Sequence, residues 1–399
     1  MIMDASFFIA RRLRFKGHIA VTAIAISFLV MIIAVSISSG FRSEIRKGLS
    51  TISGDVQLTP PNLNVLDQTR PIEDDAAYLP IIKEIEGVED IVPVVYRAGI
   101  VKNGSNIHGV LVKGVPGGAS RVAPQVQHDS VPLAVAVPRR LCEISGLKVG
   151  DRMLTYFVGE KVKLRQFNIV SVYDAVVETD SRLVVYAEIS DLQRLDGWAE
   201  NQVSAMEIAL RPTFRTEQKI SEMTEQIGVY VNAFSAESDS PVIAVSSVSR
   251  YPQLFDWLDL IDFNVFFILL LMTVVAGFNM ISGLLIMLFE NISTIGLLKS
   301  IGMTDRAISK VFLSSSAVLV LKGMLIGNLL AFVFCLVQST THLLKLNPEN
   351  YFVSSVPVHL DLGAVLLADA AAFIVIMLLL LIPTLFISKV DPAETVRVR

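Results

Sequence analysis

Four long hydrophobic runs dominate the pattern of apolar and polar residues along the chain. Each run is long enough to cross a membrane, because about 20 consecutive apolar residues span the hydrocarbon core as a helix. Charged residues are almost absent from these runs, which lie at 18–39, 263–289, 311–338 and 362–387. The pattern therefore predicts an integral membrane protein with four transmembrane helices, the first separated from the other three by a large domain.

The segment between the first two runs, residues 40–262, shows short alternating stretches and turn signals instead. Strands are predicted at 55–59, 91–101, 107–115, 133–137, 153–158, 163–172, 183–187 and 206–210. Helices are predicted at 78–86, 139–145, 189–195 and 215–227, with one more strand at 230–233 and a helix at 249–262 that continues into the second run. We therefore expect a large α+β domain at this place in the chain.

Lysine and arginine are distributed unevenly among the segments that flank the hydrophobic runs. Residues 1–17, 290–310 and 388–399 are rich in basic residues, whereas 339–361 contains only Lys345. Short cytoplasmic loops carry an excess of Lys and Arg. We therefore expect both termini and the 290–310 loop to be cytoplasmic, and the 40–262 domain and the 339–361 loop to lie on the other side.

Charge and motif content narrow the possible functions. The 40–262 domain contains 22 Lys and Arg against 30 Asp and Glu, so its formal charge is 22 − 30 = −8. Nucleic-acid binding requires a basic face, so this class is excluded. The chain contains no nucleotide-binding G-x-x-x-x-G-K-[ST] motif, no hydrolase signature and no histidines at metal-ligand spacing. The sequence therefore predicts no catalytic residues, no metal site and no cofactor held by this chain.

The predicted cytoplasmic loop contains a short amphipathic helix at 290–301. Its apolar residues recur at helical spacing on one stripe, which consists of Ile292, Ile295, Leu298 and Ile301. Gly302 is expected to end this helix, and Thr304 to cap the helix that follows. A helix joined directly to two membrane spans either lies passively at the membrane surface or transmits force from a cytoplasmic partner to the spans.

Residues 290–313 resemble the coupling segment of FtsX/MacB-type ABC transporter permeases. They follow the pattern E-x-x-x-x-I-x-x-L-x-x-x-G-x-x-x-x-x-I, and the order of one span, a large domain and three spans is similar as well. The tail Pro383…Asp391-Pro392-Ala393-Glu394…Arg397 also matches that superfamily. Further stretches are similar to the lipoprotein-releasing permeases of the LolC/LolE type, namely Phe8-Ile9-Ala10-Arg11-Arg12, Gly40-Phe41, Leu195-Asp196-Gly197-Trp198 and Asn279-Met280-Ile281.

This resemblance implies a permease subunit, not itself an enzyme, in the inner membrane with a MacB-like periplasmic domain. Its implied partners are a cytoplasmic ABC ATPase that binds ATP and Mg²⁺, a second permease subunit in a homo- or heterodimer, a lipoprotein substrate and membrane lipid. ATP hydrolysis by the partner would drive lipoproteins from the periplasmic leaflet towards a periplasmic carrier and the outer membrane. The residues expected to contact the ATPase are Glu290, Ile295, Leu298, Lys299, Gly302 and Met303.

Other functions stay open at the level of sequence, among them a membrane-anchored binding protein, which would leave the helix at 290–301 unexplained. Two more are transport or signalling roles. One is a MacB-like exporter, although such exporters usually carry their ATPase fused at the N-terminus. The other is an FtsX-like mechanotransmitter that activates cell-wall hydrolases, which needs only a small outer domain. Recruitment of a periplasmic lipoprotein chaperone is also left open, because the short stretch 157–165 lacks the proline-bounded hook of the chaperone-recruiting subtype.

Two charged residues lie well inside the predicted spans, Lys322 in the third and Asp369 in the fourth. At about 1.5 Å per residue, both fall at about the same depth of a ~30 Å hydrocarbon core. An unpaired charge there costs at least about 2.5–3.5 kcal/mol. We therefore predict an intramembrane ion pair between Lys322 and Asp369, against the alternative that Lys322 snorkels and Asp369 stays protonated or hydrated near the surface.

Overall fold

The computed structural model describes residues 18–61, 63, 70–104, 106–117, 131–159, 162–175, 183–237 and 239–385. They divide into two compact units, which are a membrane unit (18–42, 258–344 and 356–385) and an extramembrane unit (43–257 and 345–355, within the described ranges). The terminal motifs at 8–12 and 391–397 lie outside the described residues. The extramembrane unit therefore comes almost entirely from the segment between the first two hydrophobic runs.

Both units contain helices, and these helices differ greatly in length. In chain order they are α1 (His18–Ser53), α2 (Leu79–Lys83), α3 (Arg139–Ser145), α4 (Ile189–Asp196), α5 (Glu217–Phe234), α6 (Ser247–Arg250), α7 (Pro252–Glu290), α8 (Ile292–Ser300), α9 (Asp305–Thr341), α10 (Pro348–Tyr351), α11 (Leu362–Leu379) and α12 (Leu381–Thr384). Within the described residues, four helical stretches are long and apolar enough to cross a membrane, namely α1, α7, α9 and α11 with α12. The four predicted spans are therefore confirmed as helices.

The strands lie in the extramembrane unit. They are β1 (Val56–Thr59), β2 (Ile72–Glu73), β3 (Val88–Asn103), β4 (Asn106–Val115), β5 (Ala134–Pro138), β6 (Arg152–Phe157), β7 (Lys163–Tyr173), β8 (Val184–Glu188), β9 (Gln202–Val203), β10 (Ala205–Leu210) and β11 (Ile243–Ser246). Nine of these described strands form one sheet in the order β11-β1-β10-β3-β4-β8-β5-β7-β6, and β2 pairs with β9. The expected α+β domain is confirmed, and it is rich in β structure.

The sheet closes on itself because its last strand, β6, also pairs with β3. At this seam Gly99 lies opposite Phe157, and a Cβ at Gly99 would approach Thr155 Cγ2 at 2.7 Å. Glycine therefore allows the two strands to come together. The buried apolar side chains of the closed part pack into one cluster that includes Val101, Val112, Val135, Phe157, Phe167 and Val185.

Local signals predict several of these elements well. The hairpin through Asn103 and Gly104 is confirmed, since β3 and β4 pair up to Asn103 opposite Asn106 and Gly104 adopts φ +60°. Helix α3 has the predicted bounds. The predicted helix at 78–86 is shorter in the structure, because α2 already ends at Lys83.

The predicted strand at 230–233 is wrong. These residues lie inside α5, which begins after its N-cap Thr216 and ends at Phe234. The buried side chains of α5 are Ile220, Met223, Ile227 and Val231, so its apolar stripe continues at helical spacing through the segment. A run of four residues is too short to separate strand from helix by its own pattern.

Close backbone contact joins α1 to α9 in the membrane unit. A Cβ at Gly323 would lie 2.7 Å from Ile24 Cγ2, and a Cβ at Gly327 would lie 2.5 Å from the Ala25 carbonyl oxygen. Glycines four residues apart form a groove on one helix face, which is the small-xxx-small arrangement of packed transmembrane helices. The spacing of Gly323 and Gly327 is therefore a sequence signal for this contact.

Candidate functional site

The loop between the second and third spans forms a compact turn around α8. Met303 N–H donates to the Leu298 carbonyl at 3.0 Å, and Gly302 adopts φ +90° directly after the helix. Lys299 Nζ lies 3.0 Å from Asp305 Oδ1, which ties the end of α8 to the start of α9. The Thr304 hydroxyl accepts from the backbone N–H of Ala307, as the predicted N-cap of α9. We refer to residues 290–305 as the coupling segment.

The middle of the predicted apolar stripe, Ile295 and Leu298, faces the protein instead of a partner. Ile295 is 0% exposed and belongs to the hydrophobic core of the membrane unit, together with Ile308 and Phe312. Leu298 and Met303 are half-buried against the same core. The expectation that Ile295 contacts the ATPase directly is therefore corrected, since its side chain is enclosed by its own chain.

A second face of the coupling segment is exposed, and it also carries apolar side chains. Leu297 is 59% exposed and Ile301 is 74% exposed, four residues further along. Ser293 and Thr294 are exposed on the same side of α8 at helical spacing, and Glu290, the last residue of α7, is exposed as well. Ile301 belongs to the predicted apolar stripe, whereas Leu297 lies outside it. An apolar residue outside the stripe was therefore the sequence signal for an exposed apolar surface.

The other expected contact residues differ in accessibility. Glu290 and Gly302 are exposed, whereas the Lys299 side chain is largely buried beside Asp305. The coupling segment thus brings the six expected residues into one turn. Of these six, the structure leaves Glu290 and Gly302 exposed, and it adds Leu297 and Ile301 to the exposed surface.

The predicted ion pair between Lys322 and Asp369 is not formed. Asp369 is 6% exposed and accepts a hydrogen bond of 2.6 Å from Asn328 Nδ2, whereas Lys322 is exposed on α9. Lys322 and Asn328 are six residues apart, or about 1.7 helical turns, so their side chains leave α9 on different faces. Depth in the membrane was a poor guide because it carries no information on which face of the helix meets α11.

Potential metal ligands are scattered over the structure. Among the described residues, no group of three or more His, Cys, Asp and Glu side chains lies close enough to hold a metal ion. The cysteines Cys142 and Cys335 are both free thiols. The coupling segment therefore presents an exposed surface of apolar side chains bordered by hydrogen-bonding groups.

A known permease family matches the last third of the chain. Residues 266–392 match the family model described as FtsX-like permease C-terminal, a range that includes the coupling segment and the last three spans. The chain thus carries an FtsX-like permease domain and resembles ABC transporter permeases, as its motifs predict.

Curated relatives are similar over nearly the whole chain. The lipoprotein-releasing system transmembrane protein LolC of Neisseria meningitidis serogroup B is 22% identical over 415 residues, covering 96% of this chain and 94% of that protein. The transmembrane protein LolE of the same kind of system in Haemophilus influenzae is 24% identical over 408 residues, covering 93% and 91%.

Two solved structures are similar to about half of the chain. The extracellular domain of the noncanonic ABC-type transporter YknZ from Gram-positive bacteria has a TM-score of 0.31 and 10% identity, over 48% of this chain and 99% of that one. The periplasmic region of MacB from Actinobacillus actinomycetemcomitans has a TM-score of 0.31 and 11% identity, over 50% and 91%.

Proposed function

We propose that this protein is the permease subunit of an ATP-driven transporter that releases lipoproteins from the periplasmic leaflet of the inner membrane. The similarity of nearly the whole chain to LolC and LolE proteins supports this function. In this proposal both termini and the coupling segment are cytoplasmic, and the extramembrane unit is periplasmic. The ATP and Mg²⁺ are bound by a separate ATPase, and a second permease subunit, identical or related, completes the transporter.

The observation that carries the proposal is the exposed apolar pair of Leu297 on α8 and Ile301 directly after it, in a segment held between two spans. Burying one such side chain in a partner groove is worth about 1.5–3 kcal/mol. Because Ile295 on the same helix is packed into the core of the membrane unit, a push on α8 is passed directly to the spans. A docking helix of this kind suits a partner that changes shape when it hydrolyses ATP.

Lipid extraction explains why such a partner is needed. Each buried CH₂ group of an acyl chain is worth about 0.8 kcal/mol, so a triacylated protein leaves the bilayer far too slowly without an energy source. Helix α7 exposes large aromatic side chains, among them Phe263, Phe266 and Phe278, and α1 exposes Ile26. These apolar faces are available to acyl chains, to lipid or to the second permease subunit.

The docking test uses the full chain co-expressed with its cognate ATPase. The double variant Leu297→Asp/Ile301→Asp places two charges in the proposed contact and should abolish co-purification of the ATPase. The matched control is Ile107→Asp, an equally exposed apolar residue on the hairpin of the extramembrane unit, which should leave co-purification intact. Retention of the ATPase by the double variant would overturn the docking assignment.

The cargo test asks whether a triacylated lipoprotein in proteoliposomes reaches a soluble carrier when ATP is added. ATP-dependent transfer supports lipoprotein release. Export of a soluble compound without lipoprotein transfer would favour the MacB-like alternative, and activation of a cell-wall hydrolase would favour the FtsX-like one. Mass spectrometry of the lipids and proteins that co-purify with the chain identifies the cargo independently.

Orientation is tested by cysteine labelling of intact cells in a background without Cys142 and Cys335. A membrane-impermeant maleimide should label Lys102→Cys, at the exposed tip of the β3–β4 hairpin, and should not label Arg306→Cys, in the first turn of α9. Labelling of Arg306→Cys from outside would reverse the proposed topology.

A further inference from the structure

A lysine lies in the core of the extramembrane unit, where lysine is rarely found. Lys113 on β4 is 0% exposed, and its Nζ donates to the backbone carbonyls of Thr51 and Ile52 at 3.0 Å each. The same nitrogen lies 2.8 Å from a carboxylate oxygen of Glu207 on β10. An ammonium group has three donors, so all three are used.

The contacts continue across the sheet from Glu207. The Tyr96 hydroxyl on β3 donates to the buried Glu207 carboxylate and accepts from Gln57 Nε2 on β1 at 3.0 Å. Arg250 donates to Gln57 Oε1. One connected network therefore runs from Lys113 through three further strands to Arg250.

The two ends of this network lie next to the ends of two helices that contain membrane spans. Thr51 and Ile52 belong to the last turn of α1, where the final carbonyls have no partner within the helix and where the helix dipole favours a cation. Arg250 is the last residue of α6, and α7 begins at Pro252. α1 and α7 are the helices that contain the first and second spans.

A gain in folding stability does not by itself explain why Lys113 and Glu207 are buried here. Burial raises the pKa of the Glu207 carboxyl and lowers the pKa of the Lys113 ammonium, while each charge partly offsets the effect on the other. A buried ion pair is often no more stabilising than apolar residues of the same volume. What Lys113 provides here, and an apolar residue would not, is the shortest pair of bonds to the α1 carbonyls, at 3.0 Å, against 3.3 Å for those from the Tyr96 and Tyr186 hydroxyls.

We propose that Lys113 and Glu207 are positioning residues that anchor the C-terminal end of α1 to the sheet, and that Gln57 and Arg250 link the start of α7 to the same anchor. Displacement of either helix is then transmitted to β4 and β10. This role rests on the proposed function, since it makes the network part of the path from ATP hydrolysis to the extramembrane unit.

The test uses the full chain in lipid nanodiscs with its ATPase. The variant Lys113→Met/Glu207→Leu keeps volume and burial but removes the two Lys113 bonds to Thr51 and Ile52, leaving the longer ones from the Tyr186 and Tyr96 hydroxyls. Amide hydrogen exchange at residues 50–54 should become at least about 10-fold faster, because local opening of the helix end is no longer opposed by the anchor. Amides of α5 should exchange at the wild-type rate. Basal ATP hydrolysis should be unchanged, and its stimulation by lipoprotein should be lost.

A matched control removes another buried ion pair of the same unit. Arg97 Nε lies 3.3 Å from Asp196 Oδ1, and this pair joins β3 to α4. The variant Arg97→Met/Asp196→Leu should leave both the exchange at 50–54 and the stimulation of ATP hydrolysis at wild-type values. If the Lys113→Met/Glu207→Leu variant does not fold, Arg250→Met cuts the network at a half-buried position, with exchange at 251–254 and the same stimulation as readouts.

The outcomes separate the anchor from the proposed function. Unchanged exchange at 50–54 overturns the anchor. Faster exchange with full stimulation overturns the coupling role of Lys113 and Glu207. If the wild-type chain binds no ATPase, the proposed function fails, and the exchange measurement by itself still confirms or overturns the anchor.

Discussion

The contact between α1 and α9 allows a prediction whose size follows from the structure. In Gly327→Ala the new Cβ would lie 2.5 Å from the Ala25 carbonyl oxygen, 2.9 Å from Phe28 Cβ and 3.1 Å from the Leu29 nitrogen. Ordinary contact begins near 3.4 Å, so the two backbones must separate by 3.4 − 2.5 = 0.9 Å. Two of these three neighbours are backbone atoms, which cannot move aside as a side-chain tip can.

The cost of this separation can be estimated. Overpacking of a close contact typically costs about 1–3 kcal/mol, and a gap of about 0.5–1 Å forfeits a quarter to a half of the dispersion energy of the atoms that face it. Replacing glycine by alanine in a helix interior stabilises the helix by up to about 1 kcal/mol, which offsets part of this cost. We therefore expect Gly327→Ala to lower the free energy of unfolding by about 1–2 kcal/mol, mainly through lost contacts of Ile24 and Phe28.

The assay is reversible unfolding of the purified chain in mixed micelles with increasing SDS, followed by circular dichroism. The control is Gly277→Ala on α7, where the Cβ would lie 2.4 Å from Leu379 Cδ1. That atom is the free end of a flexible side chain, so the control should cost well under about 1 kcal/mol once Leu379 changes rotamer. Equal unfolding midpoints for Gly327→Ala and wild type, or a larger loss for Gly277→Ala, would refute the reasoning.

Three more predictions follow from particular contacts. Double-mutant cycles to alanine should give a coupling energy of about 0.6–1.7 kcal/mol between Asn328 and Asp369, and none between Lys322 and Asp369. The reverse result would support the ion pair predicted from the sequence. Ile295→Asp should prevent folding, because a charge would enter the core of the membrane unit. Protein extracted from the membrane fraction should then give no monodisperse peak on size-exclusion chromatography, and a normal elution profile would contradict this. Burial raises the pKa of the Cys142 thiol above its ordinary value of 9.0. Alkylation of this thiol by iodoacetamide should therefore accelerate only above pH 9 in the folded protein. Rapid reaction at pH 7 would show that the thiol is accessible and that its pKa is not raised.

Several features of the molecule were determined by local sequence. The four spans follow from the length of uninterrupted apolar runs, because a helix must satisfy its backbone hydrogen bonds within the hydrocarbon core. The β3–β4 hairpin follows from Asn103 and Gly104, because glycine accepts the positive φ that the turn requires. The end of the coupling segment follows from Gly302 and Thr304 for the same kind of local reason.

Other features were decided only by the tertiary structure. Periodicity finds the apolar stripe with Ile295 but cannot tell whether that stripe packs against the chain itself or against a partner, and the structure leaves Leu297 exposed instead. Membrane depth suggests a partner for Asp369, yet the rotation of α9 about its axis brings Asn328 to it. Lys113 looks like one polar residue in an apolar strand, and only the packing of the end of α1 against the sheet gives it its partners, the carbonyls of Thr51 and Ile52. Backbone conformation depends largely on near neighbours in the chain, whereas the direction in which a side chain finds its partner depends on contacts between residues far apart in sequence.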